Sequence, residues 1–400
     1  MNDAFTSALS GIKVLDLTEE RGLYAGKMLA DLGADVTLIE EIKGSKARRA
    51  PPYRNDVPGP ENSLYFVNYN TNKRGITLNL GCSEGQGIFK HLVSRSDVVV
   101  EDNEVGFMQS IGLDYPVLRS LNRGIIMASI TGFGQTGPYR AFKASDIVSF
   151  AMGGMMNISG SKNGAPVVAP CEQSNHSVAI AAVFGILTAL LTRIRTGEGQ
   201  LVDASAHEMV ATCASEVMNY SNTSRIGQRN GSQFGSVPGR IYPCKDGHVH
   251  ILTVRPNHWQ GFREVMGNPA TLMGKEWDSG VFRNKNVDII DALVTEFTMS
   301  RTKMEITELC QAKGVPCTPV NTPAEFPDDA HIKQRGIFIE MKHPGIGCFS
   351  YLAPPYRLSR TPCSIRRSAP LLGQHNQEVY CGEIGYKPGE LAALKDKGVI

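Results

Sequence analysis

The stretch Gly11-Ile12-Lys13-Val14-Leu15-Asp16-Leu17 opens the pattern that decides the fold. Its nearly continuous apolar run predicts a buried strand, and the apolar spacing over residues 23–32 predicts a helix directly after it. Gly33-Ala34-Asp35 then turns the chain into a second strand at residues 36–39. A strand, a helix and a second strand in this order predict a parallel β-α-β unit.

The same alternation continues further along the chain. Strands are predicted at residues 76–80, 97–101 and 124–130, with one helix at 85–94 and another that ends before Asn122. Strands separated by helices of this length predict an α/β fold, with a doubly wound parallel sheet covered by helices on both faces.

A dinucleotide site is disfavoured in this sheet. The turn after the first strand, residues 18–22, lacks the G-x-G-x-x-G cradle that holds a pyrophosphate. Glu40 ends the second strand, where a ribose-binding acid would lie, and we interpret it as a surface charge.

The composition is that of a soluble globular protein, with 42% hydrophobic and 20% charged residues. A net charge of +2 argues against a nucleic-acid-binding surface. The nine cysteines include no C-x-x-C pair, so neither disulfides nor a zinc site is indicated, and we interpret them as reduced and buried. Without a signal pattern, and with a longest apolar run of only residues 178–191, the chain is expected to avoid membranes and to be cytoplasmic.

A chain of 400 residues predicts more than one domain. The periodicity is helical from Asp146 to Ser221, with a long central helix near residues 176–195, and residues 221–239 have the composition of a loop. We predict that residues 1–220 form the N-terminal part of a large domain and that residues 221–325 form a small α+β domain. Residues 326–400 are predicted to return to the large domain.

Several blocks in order along nearly the whole chain resemble class III CoA-transferases. The first is the opening strand with Leu29-Ala30-Asp31-Leu32-Gly33-Ala34-Asp35-Val36. The others are residues 70–74, 132–139, 185–200, 314–320 and 369–375. The resemblance implies a Rossmann-like large domain built from both chain ends, a small domain between them, and two subunits threaded through each other like linked rings.

In this family a carboxylate attacks the acyl-CoA thioester and forms a mixed anhydride, so the resemblance implies a covalent acid. Its place lies ten residues before Gly185 and nine after Pro166, and both counts reach Asn175. A carboxamide cannot form the anhydride, so the ordinary chemistry should be absent here. Glu172, three residues earlier, is the alternative carboxylate.

The resemblance also implies losses at the positions that contact CoA. Glu19 and Glu20 place negative charge near a CoA phosphate, and Glu41 stands where the family often has an arginine. The family's Glu-Asn-Phe is replaced by Glu101-Asp102-Asn103, and an arginine one turn later is replaced by Ser110. These changes predict that this chain binds no cofactor of its own.

Two positions match the family near the acyl group. Lys143 would be a cation for the pantetheine or phosphate, and Asp146 a polar acid, although Ser145 or Asp146 capping a helix explains the motif as well. Racemase activity is disfavoured because Ser145 replaces the required histidine. His176 is interpreted as structural rather than as a base.

Three functions remain open at this point. The first is a non-catalytic subunit that pairs with a homologous chain carrying the aspartate. The resemblance here is to a heteromeric branch that moves CoA from succinyl-CoA to benzylsuccinate in toluene degradation. CoA thioesters would then be substrates of the complex, with no metal. The second is an active homodimer that uses Glu172, and the third is a binding or scaffold protein.

Overall fold

The computed structural model describes residues 7–225, 229 and 237–400. By compactness the described chain forms two units, of which the larger comprises residues 7–155, 168–225 and 335–400 and the smaller comprises 156–167, 229 and 237–334. The division into independently folding domains at 220 and 325 stays a prediction.

The larger unit contains a six-stranded sheet in which every pair of neighbours is parallel. Its strands in chain order are β1 (Lys13–Asp16), β2 (Asp35–Glu40), β3 (Arg74–Thr77), β4 (Val98–Glu101), β5 (Ile126–Thr131) and β6 (Leu201–Ser205). Their spatial order is β3-β2-β1-β4-β5-β6, so the direction of winding reverses between β1 and β4. The predicted α/β class and its parallel sheet are confirmed, whereas the linked-ring dimer stays a prediction.

Helices cover both faces of this sheet, because its strands are apolar on both sides. The α-helices up to residue 223 are α1 (Leu23–Asp31), α2 (Leu64–Tyr69), α3 (Ser83–Val93), α4 (Phe107–Ser110), α5 (Tyr115–Leu121), α6 (Asp146–Met152), α7 (Met155–Ile158), α8 (Gln173–Thr196), α9 (Ala206–Cys213) and α10 (Ser215–Thr223). Val14, Val36 and Val98 pack on one face with α1 and α8, and Leu15 and Val99 pack on the other with α3 and α5.

The smaller unit has its own core around Trp259 and Phe262. Its antiparallel sheet consists of β7 (Gly239–Cys244), β8 (Gly247–Leu252) and β9 (Cys317–Pro319). The helices that follow β8 are α11 (Pro256–Val265), α12 (Gly280–Lys285), α13 (Val287–Met299) and α14 (Lys303–Ala312). The segment predicted as a loop at 221–239 is helical up to Thr223 and otherwise lies largely outside the described residues.

Helix α15 (Ala330–Arg335) lies at the end of the smaller unit, and the chain then returns to the larger one. The elements that follow are the hairpin β10 (Phe338–His343) and β11 (Gly347–Leu352), a π-helical segment (Glu378–Ile384) and α16 (Pro388–Asp396). The C-terminal part is tied to β3, since Nδ1 of His375 accepts from the N–H of Gly75 at 2.9 Å and the hydroxyl of Tyr380 donates to the carbonyl of Thr77 at 2.6 Å.

Two interpretations from the sequence are wrong. Glu40 is not a surface charge, because it is 2% exposed and forms a two-pronged ion pair with Arg48, both bonds 2.8 Å long. The nine cysteines are free thiols, but Cys171, Cys213 and Cys348 are exposed rather than buried. These three follow no apolar periodicity strong enough to place them in a core.

Helix α8 is long and apolar enough to cross a membrane by length and composition alone. Val178, Ala182 and Ile186 lie on the face that packs against the sheet, which is how a core helix of a folded domain is used.

Candidate functional site

Asn175 lies in the first turn of α8 and is only 4% exposed. Its backbone N–H donates to Oδ1 of Asp146 at 3.1 Å, but neither polar atom of its carboxamide has a partner among the described residues. A buried polar group without a partner costs about 1–3 kcal/mol. This position therefore carries a polar side chain that the fold itself does not use.

Asp146 determines how α8 begins. It is the first residue of α6, yet its Oδ1 accepts from the N–H groups of Ser174 and Asn175 at 2.8 and 3.1 Å and from the Ser174 hydroxyl at 2.5 Å. Ser145 makes no side-chain capping bond. The carboxylate thus stabilises the N-terminus of a different helix, where orphan N–H groups and the helix dipole favour negative charge.

Glu172 directly precedes α8. It and Cys171 lie in the left-handed backbone region, with φ of 51° and 65°, which residues other than glycine adopt at a cost of about 1–2 kcal/mol. The hydroxyl of Tyr65 donates to Oε2 of Glu172 at 2.9 Å. Burial and this carboxylate raise the pKa of Tyr65, so the phenol keeps its proton and remains a donor. Glu172 is therefore a carboxylate with one oxygen already engaged.

His176 is not free to act as a base. Its Nδ1 lies 2.8 Å from the carbonyl oxygen of Glu172, and because a carbonyl only accepts, Nδ1 must carry the proton. Nε2 then accepts from the hydroxyl of Tyr69 at 2.7 Å. Burial and the nearby Glu172 raise the pKa of Tyr69 to about 12. Both ring nitrogens are thus occupied, in agreement with the structural role expected from the sequence.

These side chains surround a small cavity of about 10 Å³, which is the space of one water molecule. Its lining consists of Glu20, Arg21, Leu23, Tyr24, Tyr65, Tyr69, Glu172, Asn175 and His176. The three tyrosines were not predicted. Tyr65 and Tyr69 are four residues apart on α2, a spacing that places them on one face. The sequence gives no signal that this face meets the start of α8.

A larger cavity of about 660 Å³ lies at the carboxyl ends of β1 to β4, where the winding of the sheet reverses. Such a crevice is where open α/β sheets bind ligands. All the positions predicted as altered CoA contacts line it, namely Glu19, Glu20, Glu41, Asp102, Asn103 and Ser110. The structure therefore brings together residues that are scattered over some ninety positions of the sequence.

Asp102 has a structural role in this cavity. Its carboxylate accepts from the N–H groups of Glu19, Glu20 and Gly22 at 2.9 to 3.0 Å, so it holds the turn that leads into α1. Burial raises the pKa of Asp102, against the lowering effect of these three N–H donors. The acid is thus built into the loop that follows β1.

The charges in the large cavity are mixed. Nζ of Lys46 lies 3.0 Å from Oε2 of Glu19, which neutralises one of the two acids predicted to repel phosphate. Burial raises the pKa of Glu20, with further raising from Asp102 and opposition from Arg21. Glu41 is exposed at the rim. Arg49 is a further cation in the lining, besides Arg21 and Lys46.

The remaining predicted positions are engaged locally. Asn103 donates from its backbone and side chain to Glu101, and the hydroxyl of Ser110 donates to the carbonyl of Phe107. Lys143 is exposed and pairs with Glu104. Lys143 is therefore not brought to Asp146 or Asn175 by any bond among the described residues. The described part of the chain holds no group of metal-ligating side chains.

The sequence matches the model of CoA-transferase family III over residues 9–376. It is 35% identical to a formyl-CoA:oxalate CoA-transferase of Streptomyces avermitilis, over 99% of this chain and 100% of that protein. It is 34% identical to a succinyl-CoA:mesaconate CoA-transferase of Haloarcula marismortui, over 93% of this chain and 95% of the relative.

The fold is also similar to that of a CAIB/BAIF family protein from Brucella suis. The two structures superpose with a TM-score of 0.85 at 28% sequence identity, and the match covers 94% of this chain and 99% of the other. The likeness therefore extends over both units.

Proposed function

Because the chain belongs to CoA-transferase family III, we propose that it is the non-catalytic subunit of a heteromeric class III CoA-transferase. A homologous partner subunit would supply the catalytic carboxylate. The observation that carries this proposal is the buried carboxamide of Asn175 at the start of α8, which has no partner among the residues that the structure describes.

The chemistry needs an anionic oxygen at this place. A carboxylate oxygen attacks the thioester carbonyl carbon, the C–S bond breaks, and CoA leaves as its thiolate while the anhydride forms. The nitrogen lone pair of an amide is delocalised into its carbonyl, and its oxygen carries no charge. Asn175 therefore cannot take the first step.

The large cavity supports the same proposal. Glu19, Glu20, Glu41, Asp102 and Glu104 line it, against the cations Arg21, Lys46 and Arg49. The excess of negative charge disfavours the phosphates of CoA. We accordingly propose that the partner subunit binds the CoA thioester, and that this chain holds no cofactor.

The substrates that we propose are succinyl-CoA as the donor and benzylsuccinate as the acceptor. The donor is supported by the relative that is named for succinyl-CoA. The acceptor rests on the resemblance of the sequence to the heteromeric branch of the family. A cytoplasmic location agrees with a substrate pool of CoA thioesters.

The test is to purify this chain alone and together with a homologous chain that carries the aspartate. The complex should transfer CoA from succinyl-CoA and form a hydroxylamine-sensitive anhydride on the partner. The chain alone should do neither. Transfer by the chain alone would refute the proposal.

Glu172 supports a second candidate, an active homodimer. It lines the small cavity together with Glu20, and its backbone lies in a strained turn just before α8. If Glu172 is the nucleophile, the chain alone forms the anhydride and Glu172→Gln abolishes it. Cys171→Ala is the matched control, because it alters the neighbouring strained residue but leaves the carboxylate in place.

A further inference from the structure

The small cavity presents two hydrogen-bond donors that the protein leaves unused. Nδ2 of Asn175 and Nε of Arg21 are both buried without a partner among the described residues. Nη2 of Arg21 donates to the carbonyl of Ala144 at 2.8 Å, and this bond fixes the arginine side chain at the cavity. Two unused donors on residues that line one small cavity suit an acceptor oxygen of a ligand.

The position on α8 favours a negative charge on that group. Asn175 lies in the first turn of a 24-residue helix, where the helix dipole is positive. Asp146 already satisfies the N–H groups of Ser174 and Asn175, so the helix end alone offers little. The ligand would instead be bound by the side chains of Asn175 and Arg21.

We propose that Asn175 and Arg21 bind the carboxylate of a free carboxylic acid without forming a covalent bond. Where a catalytic relative would supply a carboxylate from its own side chain, this chain receives one from the ligand. The inference rests on the proposed function only in taking the ligand to be the acid partner of a CoA transfer.

The rest of the ligand has a place in the larger cavity. The small cavity, of about 10 Å³, accommodates an oxygen atom rather than a whole molecule. Glu20 and Arg21 line both cavities, so the two adjoin at these residues. A carboxylate at Asn175 can therefore be joined to a body that occupies the space of about 660 Å³.

Two protein carboxylates restrict what can enter. Glu172 lines the same cavity, but one of its oxygens accepts from Tyr65. Glu20 lies on the wall beside Arg21, whose positive charge opposes it. A ligand with a single carboxylate at this end is therefore favoured over one with two adjacent carboxylates.

Isothermal titration of the purified full chain tests the site, with succinate as the probe and succinamide as its neutral isostere. Succinate should bind saturably, and succinamide should bind at least about tenfold more weakly because it lacks the charge. Equal affinities, or no saturable heat with succinate, would overturn the proposal. Neither result depends on whether the chain transfers CoA.

Two variants separate recognition from folding. Asn175→Leu removes the donor at similar volume, and Arg21→Lys keeps the charge but removes Nε. Each should weaken succinate binding about tenfold or more. Asn175→Leu should leave the thermal midpoint equal or higher, because the carboxamide makes no bond to any described residue. Ser177→Ala, on the same helix, removes a hydroxyl that donates to the carbonyl of Gln173 and should bind as the parent does.

Unchanged succinate affinity in Arg21→Lys would contradict the site even if Asn175→Leu failed to fold. The same conclusion would follow if Ser177→Ala weakened binding as strongly as Arg21→Lys.

Discussion

Relative to the family pattern, one position has an amide in place of an acid and another has an acid in place of an amide. An amide stands at Asn175 where the resemblance implies an acid, and an acid stands at Asp102 where it implies an amide. The two have opposite consequences, because within the described part of the chain the Asn175 side chain makes no hydrogen bond and that of Asp102 accepts three. The sequence predicted both positions as altered. It could not predict that Asp102 is a structural acid, since its donors are backbone N–H groups 80 to 83 residues away.

Restoring the acid alone should not restore the enzyme. Asn175→Asp supplies the missing carboxylate, but Glu19, Glu20 and Glu41 still line the large cavity. We expect the variant on its own to show no CoA transfer above the parent, measured with succinyl-CoA and a carboxylic acid acceptor. Robust transfer by Asn175→Asp would show that the cavity still binds CoA.

Asp102→Asn should destabilise the larger unit. The amide keeps one acceptor oxygen, and its NH₂ group faces N–H groups that the second oxygen had satisfied. We expect a loss of about 1–3 kcal/mol in the free energy of unfolding, measured by urea denaturation. Ser110 lines the same cavity, and Ser110→Ala should change the free energy of unfolding by no more than about 0.5 kcal/mol. Equal stability of the two variants would contradict the role assigned to Asp102.

At the scale of elements, prediction succeeded where a segment is buried on both faces. The strands β1, β2 and β4 and the helix α8 have strong apolar patterns, and the sequence located all of them. The edge strand β6 and the hairpin β10–β11 were missed, because these strands are partly exposed and their polar or charged residues weaken the apolar pattern. The bonds that start α8 were also missed, since they come from α6.

Removing the carboxylate that caps α8 should weaken that helix. Asp146→Ala leaves two backbone N–H groups without their acceptor, whereas the Ser174 hydroxyl keeps the backbone carbonyl of residue 146 at 3.0 Å. We expect a loss of about 1–2 kcal/mol in the free energy of unfolding by chemical denaturation. Asp146→Asn keeps one acceptor oxygen and should lose less. If both variants matched the parent, the contribution of this cap to stability would be refuted.

At the scale of the whole molecule, the C-terminal return closes the larger unit. Residues 364–380 contact β3 and the segment directly before it, through bonds such as the one from Nδ2 of Asn72 to the carbonyl of Ser364 at 2.8 Å. The sequence predicted this return only through a resemblance. No local pattern in residues 369–375 specifies a partner three hundred positions earlier, because such contacts depend on the whole tertiary fold.

His375 makes this closure sensitive to pH. Its Nδ1 accepts from the N–H of Gly75, which requires an unprotonated nitrogen. Burial, together with the charge of Arg367, lowers the pKa of His375 below its ordinary 6.5, while Glu378 opposes the shift. The unfolded chain therefore takes up the proton first as the pH falls. The contribution of the neutral His375 to the free energy of unfolding is fully present above pH 6.5. It is lost as the pH falls from 6.5 through the lowered pKa of the folded state.

His375→Gln should remove one proton from this dependence. Between pH 6.5 and the lowered pKa, the parent should lose up to about 1.4 kcal/mol more per pH unit than the variant. Urea denaturation of both proteins from pH 7.5 to pH 5 measures the two slopes. His331→Gln is the control, because His331 lies on the exposed helix α15 and should leave the parent's slope unchanged. Parallel slopes for the parent and His375→Gln would mean that the closure of the larger unit does not depend on a neutral imidazole at this position.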